Sequence, residues 1–293
     1  MSQSPLLRAA TTAIVLAMSA SVLVSAQRGQ QAAPAPVAPT PKAQAPLDLE
    51  GYWVSVVTED WRWRMMTPAK GDAPGVPLSL AGRKLADAWD LAKDNAGGQA
   101  TQCKAYGAGG ITRIPGRLHI TWQDENTLKI EYDAGRQTRL YHFLGPLGEV
   151  PRNEQPSMQG YTLASWTARN TGAPILNEEV APGRGGRAGG RGPAAPQKGS
   201  LKAMTTNLRA GYFRKNGLPY SDNATLTEYF DRHADFGAEW FTVLSVLNEP
   251  TYLVSPFVTT THFKREPDGS KWNPQACETL PPTAPLSRGE NVG

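Results

Sequence analysis

The stretch "RLHITWQDENTLKIEYDAGRQTRLYHFLG" (117–145) decides how the rest of the chain is read. Successive side chains of a strand point to opposite faces. Leu118, Ile120 and Trp122 therefore share one face of its first run, and Leu128, Ile130 and Tyr132 share one face of the second. "DEN" (124–126) predicts a hairpin turn between them, and "AGR" (134–136) a second turn into 137–145. Three consecutive runs joined by tight turns predict a β-meander.

Working outward, the same texture recurs at 158–169, 200–210, 224–234, 238–248 and 258–266, and a further strand is predicted upstream at 48–57. Gly160 marks a bulge or a close backbone approach, and Asn248-Glu249-Pro250 interrupts the pattern. One helix is predicted over 79–94, where Ala81, Leu85, Ala88, Trp89 and Ala92 stand at helical spacing behind Ser79 as N-cap. The fold class that follows is all-β: an antiparallel up-and-down barrel of about nine strands with one helix on its N-terminal side. Closure removes open edges, and a barrel of this size can hold one small ligand.

The ends and the composition set the compartment. Arg8, the apolar run 13–24 and Val24-Ser25-Ala26 have the layout of a secretory signal over 1–26. Residues 27–46 are rich in Ala, Pro and Gln and read as a disordered tether. One barrel domain is expected over 47–280, with a disordered Arg/Gly-rich loop at 183–199 and a flexible tail at 281–293. The predicted location is the periplasm or the secreted fraction, with no transmembrane segment once the signal is cleaved. Two cysteines, Cys103 and Cys277, predict a disulfide in a secreted chain, two buried thiols being the alternative.

The net charge of +4 is unevenly placed. Arg8 belongs to the signal, Arg28 and Lys42 to the tether, and Arg184, Arg187, Arg191 and Lys198 to the loop. Without these seven cations the body carries −3. A body with no basic excess argues against nucleic acid as a partner.

The alternation also flags chemistry. In "TLTEYFD" (225–231) Glu228 shares a face with Leu226 and Phe230. If that face turns inward, Glu228 is an interior acid, and Arg139, Arg209 and Arg214 are candidate counter-cations. The aromatic and basic segment 212–223, with Tyr212, Arg214 and Tyr220, reads as the rim of a barrel mouth. Trp53, Trp122, Tyr132, Arg139, Arg214, Glu228 and Phe230 are the candidate ligand-binding residues. Glu228 and Tyr220 are the candidate catalytic pair, as general acid/base and oxyanion donor. His119, His142, His233 and His262 fall on separate strands without metal-ligand spacing, so no metal and no cofactor is expected.

"EGYWV" (50–54) resembles the Gly-x-Trp that opens the first strand of lipocalins, here Gly51 and Trp53. The runs 156–166, 199–231 and 259–277 resemble an uncharacterised family of secreted bacterial β-rich proteins. Thr167 and Tyr220 stand where its members often carry an acid and a histidine. These resemblances imply secretion and one lipocalin-like, β-rich domain. The function they leave open is the binding of a small, largely apolar molecule. Two other readings stand beside it: a barrel enzyme (an isomerase, cyclase or hydratase) using Glu228, and a non-catalytic accessory protein of the envelope with an unidentified protein partner.

Overall fold

The first strand, β1 (Gly51–Val56), is followed by a short helix, α1 (Trp61–Met65). The computed structural model describes residues 39–168 and 199–282. The expected signal at 1–26, most of the expected tether, the Arg/Gly-rich stretch up to Lys198 and the residues from 283 lie outside the described residues.

After α1 come α2 (Leu80–Ala88), α3 (Leu91–Ala96), α4 (Gln99–Gln102), a 3₁₀ turn (Cys103–Tyr106) and α5 (Ala108–Ile111). The meander follows as β2 (Arg117–Asp124), β3 (Thr127–Tyr132) and β4 (Gln137–His142). Next are β5 (Tyr161–Ala168), β6 (Gly199–Thr206), a small hairpin of β7 (Gly211–Arg214) and β8 (Leu218–Tyr220), then β9 (Thr225–Asp235), β10 (Ala238–Asn248) and β11 (Phe257–Glu266).

Nine of these strands close a barrel in the order β1-β11-β10-β9-β6-β5-β4-β3-β2, and β1 pairs back onto β2. All nine correspond to runs expected from the sequence. One pairing departs from a purely antiparallel barrel. Strands β4 and β5 run parallel, with Tyr141 opposite Thr162 and His142 opposite Leu163, so the barrel is mixed. A parallel neighbour needs a long return connection, and residues 143–160 supply it. The chain enters β5 through Gly160, at φ +63°, where a side chain would strike the Thr206 carbonyl.

The helical expectation also needs correcting. The predicted single helix over 79–94 is two helices broken at Trp89. Ser79 caps α2 by accepting from the Gly82 N–H at 3.1 Å. Asp90 then caps α3, accepting from Ala92 N at 2.9 Å and Lys93 N at 3.4 Å. A side chain that bonds the backbone locally starts a new helix in preference to continuing the old one. Trp89 is thereby freed to bury its ring over Gly217 and donate its Nε1–H to Asp94 at 2.8 Å.

Two cores result. Inside the barrel, Trp53, Ile120, Leu128, Ile130, Tyr141, Leu201, Phe230, Phe241 and Phe263 are all buried. Their rings form a chain of contacts: Tyr141 on Phe230 at 5.7 Å, Phe230 on Phe241 at 6.1 Å, and Phe241 on both Trp53 and Phe263 at 4.8 Å. Fully burying one such ring stabilises by roughly 1.5–3 kcal/mol, so this stack is a main source of cohesion. The second core lies at the end where β9 begins. There α2, the β7–β8 hairpin and the segment carrying α5 form a cap, packing Ala86, Ala108, Phe213, Leu218 and Tyr220 against Leu226, Leu247 and Phe257.

The opposite end is covered by residues 39–47. Trp166 donates its Nε1–H to the Pro41 carbonyl at 2.7 Å, and Lys42 N donates to the Glu125 carbonyl at 3.2 Å. Residues 39–46, grouped with the tether on composition, are thus seated on the barrel. A disulfide joins Cys103 of the cap to Cys277 beyond β11.

Candidate functional site

Glu228 faces inward, as the alternation in β9 requires, and is fully buried. Its row contains Ala203 on β6 and Ser245 on β10, two small residues that leave room for a carboxylate. Arg139 reaches it from β4 as a two-pronged partner, Nη1 to Oε1 at 3.0 Å and Nη2 to Oε2 at 2.7 Å. Thr112, just past α5, donates to Oε1 at 3.4 Å, and the Tyr141 hydroxyl donates to Oε2 at 3.4 Å. Arg139 Nη2 also donates to Thr205, which bonds Thr162 at 2.8 Å.

The electrostatics favour the ion pair. Burial works against the guanidinium charge of Arg139, but Glu228 and the Tyr141 and Tyr132 hydroxyls outweigh it, so its pKa lies well above the ordinary value. Burial drives the Tyr141 hydroxyl the same way, keeping it protonated. Every strong acceptor position on the carboxylate is taken by the chain's own donors. The network ties β4, β9 and the cap segment together.

The other sequence-predicted residues fall in three places. Trp53, Tyr132 and Phe230 are buried in the barrel core with Arg139 and Glu228, and the Trp53 indole donates to the Leu49 carbonyl at 2.8 Å. Trp122 packs at the opposite end against Phe143 and Trp166. Tyr220 is buried in the cap, its hydroxyl over Gly107 and Gly211, with no hydrogen-bond partner among the described residues. Among the described residues no hydrogen bond joins Tyr220 to Glu228, although the Arg139 that grips Glu228 also acts on the Tyr220 hydroxyl. Arg209 is exposed and does not bond Glu228, and Arg214 belongs to the cap. Three of the histidines meet other partners: Tyr52 stacks on His119 at 4.2 Å, Tyr161 on His142 at 4.7 Å, and His262 bonds Thr242 at 2.9 Å.

Arg214 leads to a second constellation. It lines a small cleft, partly open to solvent, together with Trp63, Arg64, Ala105, Gly110, Arg113, Ile114, Phe213 and Lys215. Three elements converge here: α1 brings Trp63 and Arg64, the segment around α5 brings Arg113 and Ile114, and the β7–β8 hairpin brings Phe213, Arg214 and Lys215. The hairpin forms because "KNG" places Gly217 at φ +77° in its turn, where Trp89 leaves no room for a side chain.

Glu59 and Asp60 pair directly with two of the four cations in this cleft, and Asp72 acts on Arg214 from farther off. Glu59 accepts from Arg64 Nη1 at 2.9 Å, and Asp60 accepts from Arg113 Nη2 at 2.5 Å. Arg64 Nε donates to the Arg113 carbonyl, and Arg113 Nη1 to the Thr260 carbonyl. Arg214 has no carboxylate partner among the described residues. It makes only long bonds to the Pro74 carbonyl, 3.4 Å each, and lies over the rings of Trp63 at 5.1 Å and Phe257 at 5.6 Å. Lys215 has no partner among the described residues either, and it also borders a second cleft with Asp94 and Glu278.

Burial, reinforced by like charge at Arg64 and Arg214, shows in the proton affinities. Burial first, and the neighbouring Arg113 second, pull Arg64 down to about 10. Burial, with a smaller push from Arg113 and against the pull of Asp60, brings Arg214 to about 10 as well. Burial lowers Lys215. Two buried donors in the lining, Trp63 Nε1 and Arg64 Nη2, have no acceptor among the described residues.

Sequence reasoning named Arg214 but missed Trp63, Arg64 and Arg113. The available signal was "EDWRWR" (59–64), an acid pair followed by alternating Trp and Arg, which matches neither a strand face nor a long helix. Among the described residues, no cluster of His, Cys, Asp and Glu is arranged to hold a metal ion, and no helix is long and apolar enough to cross a membrane. Comparison with protein-family models, with curated proteins and with solved structures found no match.

Proposed function

We propose that the chain is a periplasmic or secreted protein that binds a small, largely apolar molecule, and that the molecule sits in the cleft under the cap, outside the barrel's interior. One observation carries this reading. The interior is occupied by the chain's own ring stack and by a carboxylate already bonded to Arg139, Thr112 and Tyr141. The cleft instead combines access from solvent, an apolar lining that includes the half-buried Trp63 and Ile114, and two polar donors left without acceptors. That combination is the usual make-up of a small-molecule site.

Fluorescence titration of the mature protein with N-phenyl-1-naphthylamine tests the reading. Saturable binding is expected, weakened at least tenfold in Trp63→Ala and unchanged in Trp122→Phe at the other end. Equal weakening in both variants, or no saturable binding, overturns it.

The filled interior also favours a second reading, a non-catalytic accessory protein that uses the barrel as a scaffold. It gains the ground if no small molecule binds. The catalytic reading gains less support, because Glu228 is fully buried and already bonded to Arg139.

A further inference from the structure

Resting on that reading of the cleft, we infer that its ligand is a small organic anion, whose acidic group is held by Arg64, Arg113 and Arg214 and whose apolar body lies against Trp63 and Phe213. The inference begins from a mismatch. Arg64 is 2 % exposed, Arg214 7 % and Arg113 9 %, so three guanidinium groups are withdrawn from water in one place. Buried arginine is normally matched by carboxylates or other acceptors, because stripping water from an unpaired charge costs several kcal/mol. Here the directly paired acids are Glu59 and Asp60, with Asp72 acting on Arg214 from farther off. Glu59 is also shared with His262, whose Nε2 lies 3.7 Å from it.

The pairing leaves a defined remainder. Arg64 is engaged through Nε and Nη1, but its Nη2 is sealed without an acceptor. Arg113 is engaged on both terminal nitrogens. Arg214 touches only one carbonyl, at the outer limit of a hydrogen bond. Lys215 adds a fourth positive charge at the edge. An entering acidic group gives Arg64 and Arg214 the acceptors they lack and offsets the repulsion among the guanidinium groups. Arginine presents a planar fork of donors that suits a carboxylate or phosphate.

The walls say that the anion carries an apolar body. Trp63, Ile114, Phe213 and Ala105 line the same volume. Arg214 already stacks on Trp63, which holds its fork beside an aromatic plane. The cleft is narrow and opens to solvent beside the half-buried Trp63, so the acidic group enters it and the apolar body lies along Trp63 at the mouth. Inorganic phosphate satisfies the charge but leaves the walls unused, so it is expected to bind more weakly than an aryl acid.

The test uses the mature, disulfide-bonded protein and three probes: 2-naphthoate, its neutral isostere 2-naphthamide, and inorganic phosphate. Isothermal titration is expected to show 2-naphthoate binding at least tenfold more tightly than 2-naphthamide, with phosphate weaker than naphthoate. Arg214→Met, which keeps the packing over Trp63 and removes the charge, is expected to lower naphthoate affinity at least tenfold. It should leave the melting temperature of the unliganded protein unlowered, since it removes one of several crowded cations. Arg209→Met, at an exposed arginine outside the cleft, serves as the control and should bind as the parent does.

If 2-naphthamide binds as tightly as 2-naphthoate, the anion inference fails while the small-molecule reading of the cleft stands. Equal affinity of phosphate and naphthoate overturns the apolar-body half. If neither acid binds, or if Arg209→Met loses as much affinity as Arg214→Met, the inference falls. If N-phenyl-1-naphthylamine also fails to bind, the parent reading falls with it.

Discussion

At the scale of single residues, the barrel's unusual choice is an ion pair where a hydrocarbon would do. Arg139 occupies a row with Ile120 and Ile130, and Glu228 sits between Leu226 and Phe230 on the inward face of β9. Such a pair contributes little net stability, because desolvation of both charges offsets their attraction. Its removal one side at a time is another matter. Arg139→Met leaves a buried carboxylate with only two hydroxyl donors, and Glu228→Leu leaves a buried guanidinium facing Thr205 alone. Each single variant is expected to lose about 3–5 kcal/mol of unfolding free energy in urea, and the double variant to lose much less. Additive losses would show that the two side chains are not coupled as their geometry implies. Glu249 shows a cheaper use of a buried acid. It collects the N–H groups of Ser221, Thr251 and Tyr252 and so fixes the break that Asn248-Glu249-Pro250 makes after β10.

Among the elements, the strands were legible and the cap was not, and the difference is physical. A half-buried strand writes its orientation at every second residue, so runs such as 117–124, 225–235 and 238–248 are readable in isolation. The inward position of Glu228 and its pairing with Arg139 were within reach for the same reason. The parallel join of β4 to β5 was not, because 143–160 carries no alternation to show that it returns the chain to the other end. Nor was the cap, whose pieces are three to nine residues long and take their shape from contacts distant in sequence. Gly110 illustrates this. A Cβ there would lie 2.6 Å from the Ala105 carbonyl and 2.9 Å from the Tyr212 carbonyl, both backbone atoms with little freedom to retreat. In sequence it is one glycine of a "GAGG" run. In the fold it lets α5 press against the hairpin beside the cationic cleft. Gly110→Ala is expected to cost roughly 1–3 kcal/mol by overpacking. Amide exchange at Ile111 and Arg113, whose N–H groups bond the Gly107 and Gly110 carbonyls, should quicken more than exchange within β2 and β3. Uniform quickening over the whole molecule would show that Gly110 has no role specific to the cap.

For the whole molecule, the question is what holds the cap to a barrel that is already closed. Strand β1 completes the wall by pairing with both β11 and β2. The Cys103–Cys277 bridge is therefore not needed to shut it. Nor is the bridge the only tie between the cap and the C-terminal segment. Gln99 bonds Cys277 through both its amide atoms, at 3.0 and 3.2 Å, and the Tyr106 hydroxyl donates to the Glu278 carbonyl at 3.0 Å while accepting from its N–H at 3.1 Å. These bonds dock the segment whether or not the sulfurs are joined. The bridge must then act chiefly on the unfolded chain, where it closes a loop of 174 residues. On the chain-entropy view a loop that long is worth up to about 5 kcal/mol, and replacing a native bridge costs about 2–5 kcal/mol in practice. The double variant Cys103→Ala/Cys277→Ala is expected to lose that much in urea unfolding, yet to keep the near-ultraviolet circular dichroism of the parent at 25 °C. Amide protection at Glu278, expressed relative to each protein's global stability, should be preserved as well. Selective loss of protection there, with the barrel strands unaffected, would show that the bridge works by holding the folded cap in place and not by restricting the unfolded chain.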